Sequence, residues 1–210
     1  MKMLSAFLLS PLVFFSALAH DPKQCNCAGT TNSGVDSAQY ICHDSRLGPV
    51  VLPRKLPLAT FISDYDRFGG LTPGEFLKKW TNENGTSGHG NAINGTMILQ
   101  AGTLIDRFGG EGGTFVSAAD APFSQRALPP SSLNTNASAP NFPYNYHLYR
   151  VIQSFPVVGG PIAPWFGQPG LGAQFYTGGI GNIAYLINQG YLQREDPNVL
   201  IAGKKKGCVF

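Results

Sequence analysis

The sequence predicts an α+β domain: a twisted antiparallel or mixed β-sheet core with few short helices, behind a disulfide-pinned N-terminal segment. Three observations point there. Apolar, β-prone runs occur at residues 96–106 and 144–152, whereas helical signals are confined to short stretches at 73–80 and 183–189. Glycine (26) and proline (16) are abundant among the 210 residues, and charged residues make up only 13%, against about 25% in an average domain. Short elements joined by many turns suit a sheet-based fold better than a helical bundle.

In chain order, Lys2, the apolar stretch at 4–15 and the small-residue pattern Ala17-Leu18-Ala19 read as a secretory signal over residues 1–19. The mature chain is then expected to begin at His20. No later stretch reaches the roughly 18 apolar residues of a membrane helix, and the ending AGKKKGCVF lacks the hydrophobic tail of a lipid-anchor signal. A released or wall-associated protein is the expectation. The roughly 190 remaining residues suit one compact unit. The net charge of +3 says little, because Lys204, Lys205 and Lys206 sit together and read as a solvated tail. No nucleic-acid motif accompanies them.

Four cysteines in a secreted chain argue for two disulfides. Cys25 and Cys27 are too close to pair with each other comfortably, so each is expected to bridge to Cys42 or Cys208, one bond tying the C-terminus to the start. Sequons at Asn84, Asn94 and Asn136 fit glycosylated surface loops. The chain divides into the signal at 1–19, a disulfide-bonded and helical segment at 20–95, a main domain at 96–193, and a basic tail at 194–210 held by Cys208.

Thr72 is a good N-cap, Pro73 takes the first helical position and Glu75 completes a capping box, so a helix is predicted over 73–80. The Gly- and Asn-rich stretch at 82–95 is a loop. Residues 96–106 read as one buried strand that delivers Arg107, and 144–152 as a second. The Pro-, Ser- and Asn-rich stretch between them, 129–143, reads as a surface loop. A short helix over 183–189 is closed by Gly190.

The segment DRFGG occurs twice, at 66–70 and 106–110. If both copies are turn chemistry only, Arg107 matters no more than Arg67. The second copy differs in leading through Gly112 and Gly113 to Phe115 and Arg126. A guanidinium is a planar fork that matches phosphate oxygens, so Arg107 and Arg126 together suit a pyrophosphate, although either could hold a fold-stabilising ion pair instead. Phe108, Phe115, Trp165 and Phe166 could stack on a flat ring or simply fill the core. In WFGQPG, Pro164 and Pro169 stiffen a loop that Gly167 and Gly170 let turn tightly, so Gln168 is presented on a constrained backbone. Between Arg107 and Tyr176 the only acids are Glu111 and Asp120, a poor supply for the paired carboxylates of an ordinary glycosidase.

The segments DRFGGEGGTF, QRALPP and PIAPWFGQPG resemble the catalytic domain of the tuberculosis necrotizing toxin and, more closely, the fungal surface NAD glycohydrolases. The similarity spans about residues 96–193, and YDRFGGLTPGEFLKKW resembles the fungal members. The resemblance implies cleavage of the nicotinamide–ribose bond of NAD or NADP, with Arg107 and Gln168 essential and Phe108, Phe115, Arg126 and Trp165 contacting the dinucleotide. Nicotinamide leaves as a neutral group from a cationic nitrogen, so no general acid is needed. The protein must clamp the pyrophosphate, pocket the ring and place water, and a carboxamide such as Gln168 can both donate and accept in that last role. No cofactor is required, although some fungal relatives bind calcium near the C-terminus, where this chain offers Glu195 and Asp196. The expected partner is this small-molecule substrate, with a homodimer left open.

Beside a transferase that would hand ADP-ribose to a protein acceptor, two rival readings from other classes remain. One is a secreted nucleotide- or partner-binding protein without turnover. The other is a copper-dependent polysaccharide monooxygenase whose mature N-terminal His20 would pair with His43, His89 or His147. Zinc-hydrolase signatures such as HExxH are absent.

Overall fold

The computed structural model describes residues 26–30, 38–52, 58–62, 66–80 and 94–200. The signal, His20, Cys25, the Asn84 sequon, His89, the lysine run and Cys208 lie outside these residues.

Seven strands form one sheet: β1 (Gly95–Leu99), β2 (Leu104–Phe108), β3 (Phe115–Ala118), β4 (Tyr146–Val151), β5 (Phe155–Pro161), β6 (Ala173–Tyr176) and β7 (Leu192–Glu195). Their order is β1-β5-β6-β3-β2-β4-β7, and every neighbouring pair is antiparallel. Among the described residues three short α-helices accompany it: α1 (Leu58–Ile62), α2 (Pro73–Trp80) and α3 (Ile183–Asn188). The fold is α+β with an antiparallel sheet.

The capping box predicted α2 correctly. Glu75 Oε2 accepts from the Thr72 N–H (2.9 Å) and hydroxyl (2.8 Å), which holds the first turn closed. α3 starts where Asn182 Oδ1 accepts from the Tyr185 N–H (2.8 Å). The run at 96–106, expected as one strand, is two. The chain turns at 100–103, where the Thr103 N–H donates to the Gln100 carbonyl (3.1 Å) and the Gly102 N–H to the Val151 carbonyl (2.7 Å). β1 then pairs with β5, and β2 lies between β3 and β4. The strands β3, β6 and β7, four residues each, are too short to announce themselves, and Pro156, Gly159 and Gly160 disguise β5. In β5, Phe155, Val157 and Gly159 point inward while Pro156 and Val158 are exposed, the period of 2 that one covered face demands.

Each sheet face has its own core. Ile105, Val116, Tyr149, Val151, Phe155, Val157 and Phe175 pack with Ile183 and Leu186 of α3 on one face. Phe108, Tyr146 and Leu148 pack with Leu58, Ile62, Phe123 and Leu133 on the other. A third cluster, Ile41, Leu47, Phe68, Phe76 and Leu77, gathers the N-terminal segment and takes Phe166 against its side. A disulfide joins Cys27 to Cys42, resolving one of the two alternatives open to Cys27. Asn94 and Asn136 are exposed.

Candidate active site

Successive residues of β2 alternate between the faces, so Ile105 and Arg107 share one side and Asp106 and Phe108 the other. This alternation separates the two candidate arginines. Arg107 ends beside the glycine loop, where Nε donates to the carbonyls of Gly109 (3.2 Å) and Gly110 (2.9 Å) and Nη1 to that of Phe115 (2.7 Å). No carboxylate pairs with it among the described residues, and burial pulls its guanidinium below the usual arginine value, partly offset by the nearby Tyr149 oxygen. A Cβ on Gly113 would overlap this guanidinium, so any larger residue there must displace it.

Arg126, expected to meet the dinucleotide, is instead turned inward. It is 2% exposed and its fork grips Asp106, which is fully buried; Nη2 lies 2.8 Å from Oδ2. Nε and Nη2 also donate to the Ala121 carbonyl (3.0 and 2.8 Å). Tyr146 donates its hydroxyl (2.9 Å) and Asp120 its N–H (3.1 Å) to the same carboxylate. Burial pushes the Asp106 carboxyl up, and these donors pull the other way. Phe108 is buried beneath Arg126, between Phe123 and Tyr146. In this conformation both side chains belong to the core.

Phe115 is partly buried and packs on Tyr176 with ring centroids 5.0 Å apart. Trp165 and Gln168 face each other across a two-residue turn in which Phe166 (φ 52°) and Gly167 (φ 70°) are both left-handed, closed by reciprocal backbone hydrogen bonds of 3.2 and 2.8 Å. Trp165 packs against Trp80 with the rings tilted by 51° and centroids 5.5 Å apart. Gln168 is 2% exposed, and its Nε2 donates to the Asp66 carbonyl (2.9 Å). Its Oε1, like the indole nitrogens of Trp80 and Trp165, is buried with no hydrogen-bond partner among the described residues. An orphaned buried polar atom costs about 1–3 kcal/mol.

Arg107 and Gln168 are not in contact. The Phe115 carbonyl that holds Arg107 lies where β3 pairs with Tyr176 at the end of β6, whereas the Gln168 loop enters β6 at Ala173. A cavity of about 350 Å³ lies elsewhere, lined by Leu58, Phe142, Tyr146, Leu148 and Glu195 among others.

Beside Arg107 stands a cluster that the sequence did not single out. Glu111 accepts from Arg194 (2.7 and 2.5 Å) and from the Tyr149 hydroxyl (3.3 Å), and lies 3.7 Å from His147 Nδ1. Burial pushes the Glu111 carboxyl up, but Arg194 first, then His147 and Tyr149, bring it below the ordinary value. His147 pairs with Arg107 across β2 and β4 and stacks on Phe142 at 4.1 Å. Its one available signal was the period of β4, which puts His147 and Tyr149 on the same face as Arg107.

Among the described residues no three His, Cys, Asp or Glu side chains gather into a metal-ligand group. Of the acids weighed for calcium, Glu195 pairs with Arg150 (2.6 Å), and Asp196 Oδ1 accepts the Asn198 N–H (2.8 Å).

A family profile described as tuberculosis necrotizing toxin matches residues 98–194. A conidial surface nicotinamide adenine dinucleotide glycohydrolase of Aspergillus fumigatus is 47% identical over 184 residues, covering 81% of this chain and 76% of the relative. Among solved structures, the tuberculosis necrotizing toxin complexed with its immunity factor aligns with 78% of this chain and 98% of its own, at 19% identity and a TM-score of 0.47. On the identity and coverage of the Aspergillus protein, the chain belongs to the fungal surface NAD glycohydrolase family that carries the tuberculosis necrotizing toxin domain.

Proposed function

We propose that this chain is an NAD glycohydrolase in which Arg107 anchors the pyrophosphate and Gln168 acts at the ribose. The bond from ribose C1′ to the pyridinium nitrogen breaks, and its electron pair neutralises the departing nicotinamide. Water adds to C1′ and releases a proton, giving ADP-ribose. The developing cation on the ribose needs polar oxygen nearby, and the orphaned Gln168 Oε1 is suited to accept from the attacking water or a ribose hydroxyl. Phe115 and Trp165 offer ring faces to the two bases.

One observation carries this reading. Four described arginines, Arg46, Arg126, Arg150 and Arg194, pair with carboxylates. Arg67 is buried and donates to the Pro49 carbonyl (2.6 Å). Arg107 alone of the six is both partly exposed and held only by carbonyls, which leaves its charge for an outside anion. Arg107 and Gln168 serve loops at opposite ends of the four-residue strand β6.

The full chain incubated with NAD is expected to release nicotinamide and ADP-ribose in equal amounts. Arg107→Ala should lower kcat/KM by roughly 10- to 100-fold, the value of a hydrogen bond to a charged group. Binding of NAD with no nicotinamide released would overturn the reading. NADP shares the scissile bond and the pyrophosphate, and the ratio of the two rates measures preference. A surface or extracellular location is supported by the name of the Aspergillus relative, and the exposed Asn94 and Asn136 are then the described acceptors for glycans.

A further inference from the structure

The two DRFGG copies fold into different devices. In the first, Asp66 turns the chain on itself: Oδ1 accepts from the Phe68 N–H (3.0 Å) and Oδ2 from the Gly70 N–H (2.8 Å). Phe68 anchors the turn in the N-terminal core, fully buried against Phe76. The other side of the turn lies backbone to backbone on the WFGQPG loop. A Cβ on Gly69 would come within 2.5 Å of the Gly167 carbonyl oxygen and 2.6 Å of its Cα, and Gly69 itself has φ +61°. At this contact the Asp66 carbonyl receives Nε2 of Gln168.

We infer that the turn at residues 66–70 is the positioning element for Gln168, fixing which end of its carboxamide serves the substrate. A glutamine amide has two nearly isosteric orientations, one presenting an acceptor and the other a donor. With Nε2 committed to the Asp66 carbonyl, the flipped orientation would set two carbonyl oxygens against each other. The free end is therefore always Oε1, the acceptor that water or a ribose hydroxyl requires. Gly69 and Gly167 let the two backbones approach closely enough for that hydrogen bond. This inference rests on the catalytic reading of Gln168 and adds a residue set that acts through it.

The test is a double-mutant cycle on NAD hydrolysis by the full chain, with Gly69→Ala, Gln168→Ala and the pair. Misplacing a reacting group costs on the order of 100-fold in rate. Gly69→Ala should lose turnover on that scale through kcat, with KM little changed, and should add little to Gln168→Ala. Multiplicative losses, or full kcat in a folded Gly69→Ala variant, overturn the positioning role. Normal turnover by Gln168→Ala alone overturns the reading of Gln168 itself, and the inference with it. Should Gly69→Ala fail to fold, Asp66→Ala and Asp66→Asn replace it. Asn keeps an acceptor for the Phe68 N–H and should recover most of the kcat lost in Ala; equal kcat in both variants overturns the inference.

Discussion

Arg126 and Asp106 meet in the core with the guanidinium fork across both carboxylate oxygens, 20 residues apart in sequence and sealed from solvent. Asp106 precedes Arg107 on the same strand, so the alternation of β2 sends the acid into the core and the basic side chain toward the opposite face. The acid that could have neutralised Arg107 is thereby given to Arg126, and Glu111 is given to Arg194.

Breaking this pair should be costly. Removing one partner strands the other charge in the core, a loss of about 3–5 kcal/mol. Arg126→Ala and Asp106→Ala should each lower stability by that amount, and the double variant by clearly less than the sum. Urea unfolding followed by fluorescence would read it, and additive losses would mean that the two groups act independently.

Gly113 lies against the Arg107 guanidinium, and a methyl group there would displace it from its three carbonyls. Gly113→Ala is expected to lower kcat/KM for NAD on the order of 100-fold although every charge is retained. Gly112 has open space where its Cβ would be, so Gly112→Ala should leave the rate near wild type. Equal rates in the two variants would show that the placement of Arg107 does not matter.

The Cys27–Cys42 bond closes a loop with a sequence separation of 15. On chain-entropy grounds such a loop is worth about 3 kcal/mol. Replacing both cysteines by serine should lower the unfolding free energy by about that much, measured in urea without reductant. An unchanged midpoint would mean that the N-terminal segment unfolds independently of the sheet.

What the sequence revealed was local. Thr72, Pro73 and Glu75 announce α2 because a capping box closes within one turn, and the helix ahead of Gly190 is legible in the same local way. What it concealed depends on partners far away. The run at 96–106 is largely apolar and β-prone, and only the pairing of β1 with β5 and of β2 with β3 and β4 shows that it must break. Arg126 looked like Arg107 until Asp106 claimed it. Glu111 gains meaning only from Arg194, 83 residues on, and the first DRFGG copy only from Gln168, 102 residues on. Residue types name what chemistry is available, while topology decides which copy of a motif faces a substrate and which holds the loop in place.

His147 links the cluster beside Arg107 to pH. Its ring is buried against Phe142, Nδ1 has no hydrogen-bond partner among the described residues, and burial lowers its pKa, with Glu111 opposing and Arg107 and Arg194 reinforcing. The folded state thus keeps the imidazole neutral below the unfolded value of about 6.5. In that window the unfolded chain binds more protons, so stability rises with pH there and falls on acidification, levelling once the folded imidazole also protonates. Glu111 acts in the same direction at lower pH: its lowered pKa contributes stability that is lost as its carboxylate protonates. His147→Phe should flatten the slope just below about pH 6.5, leaving the Glu111 descent at acid pH. Thermal unfolding followed across that range decides it, and an unchanged slope in the variant would move the titration to another group.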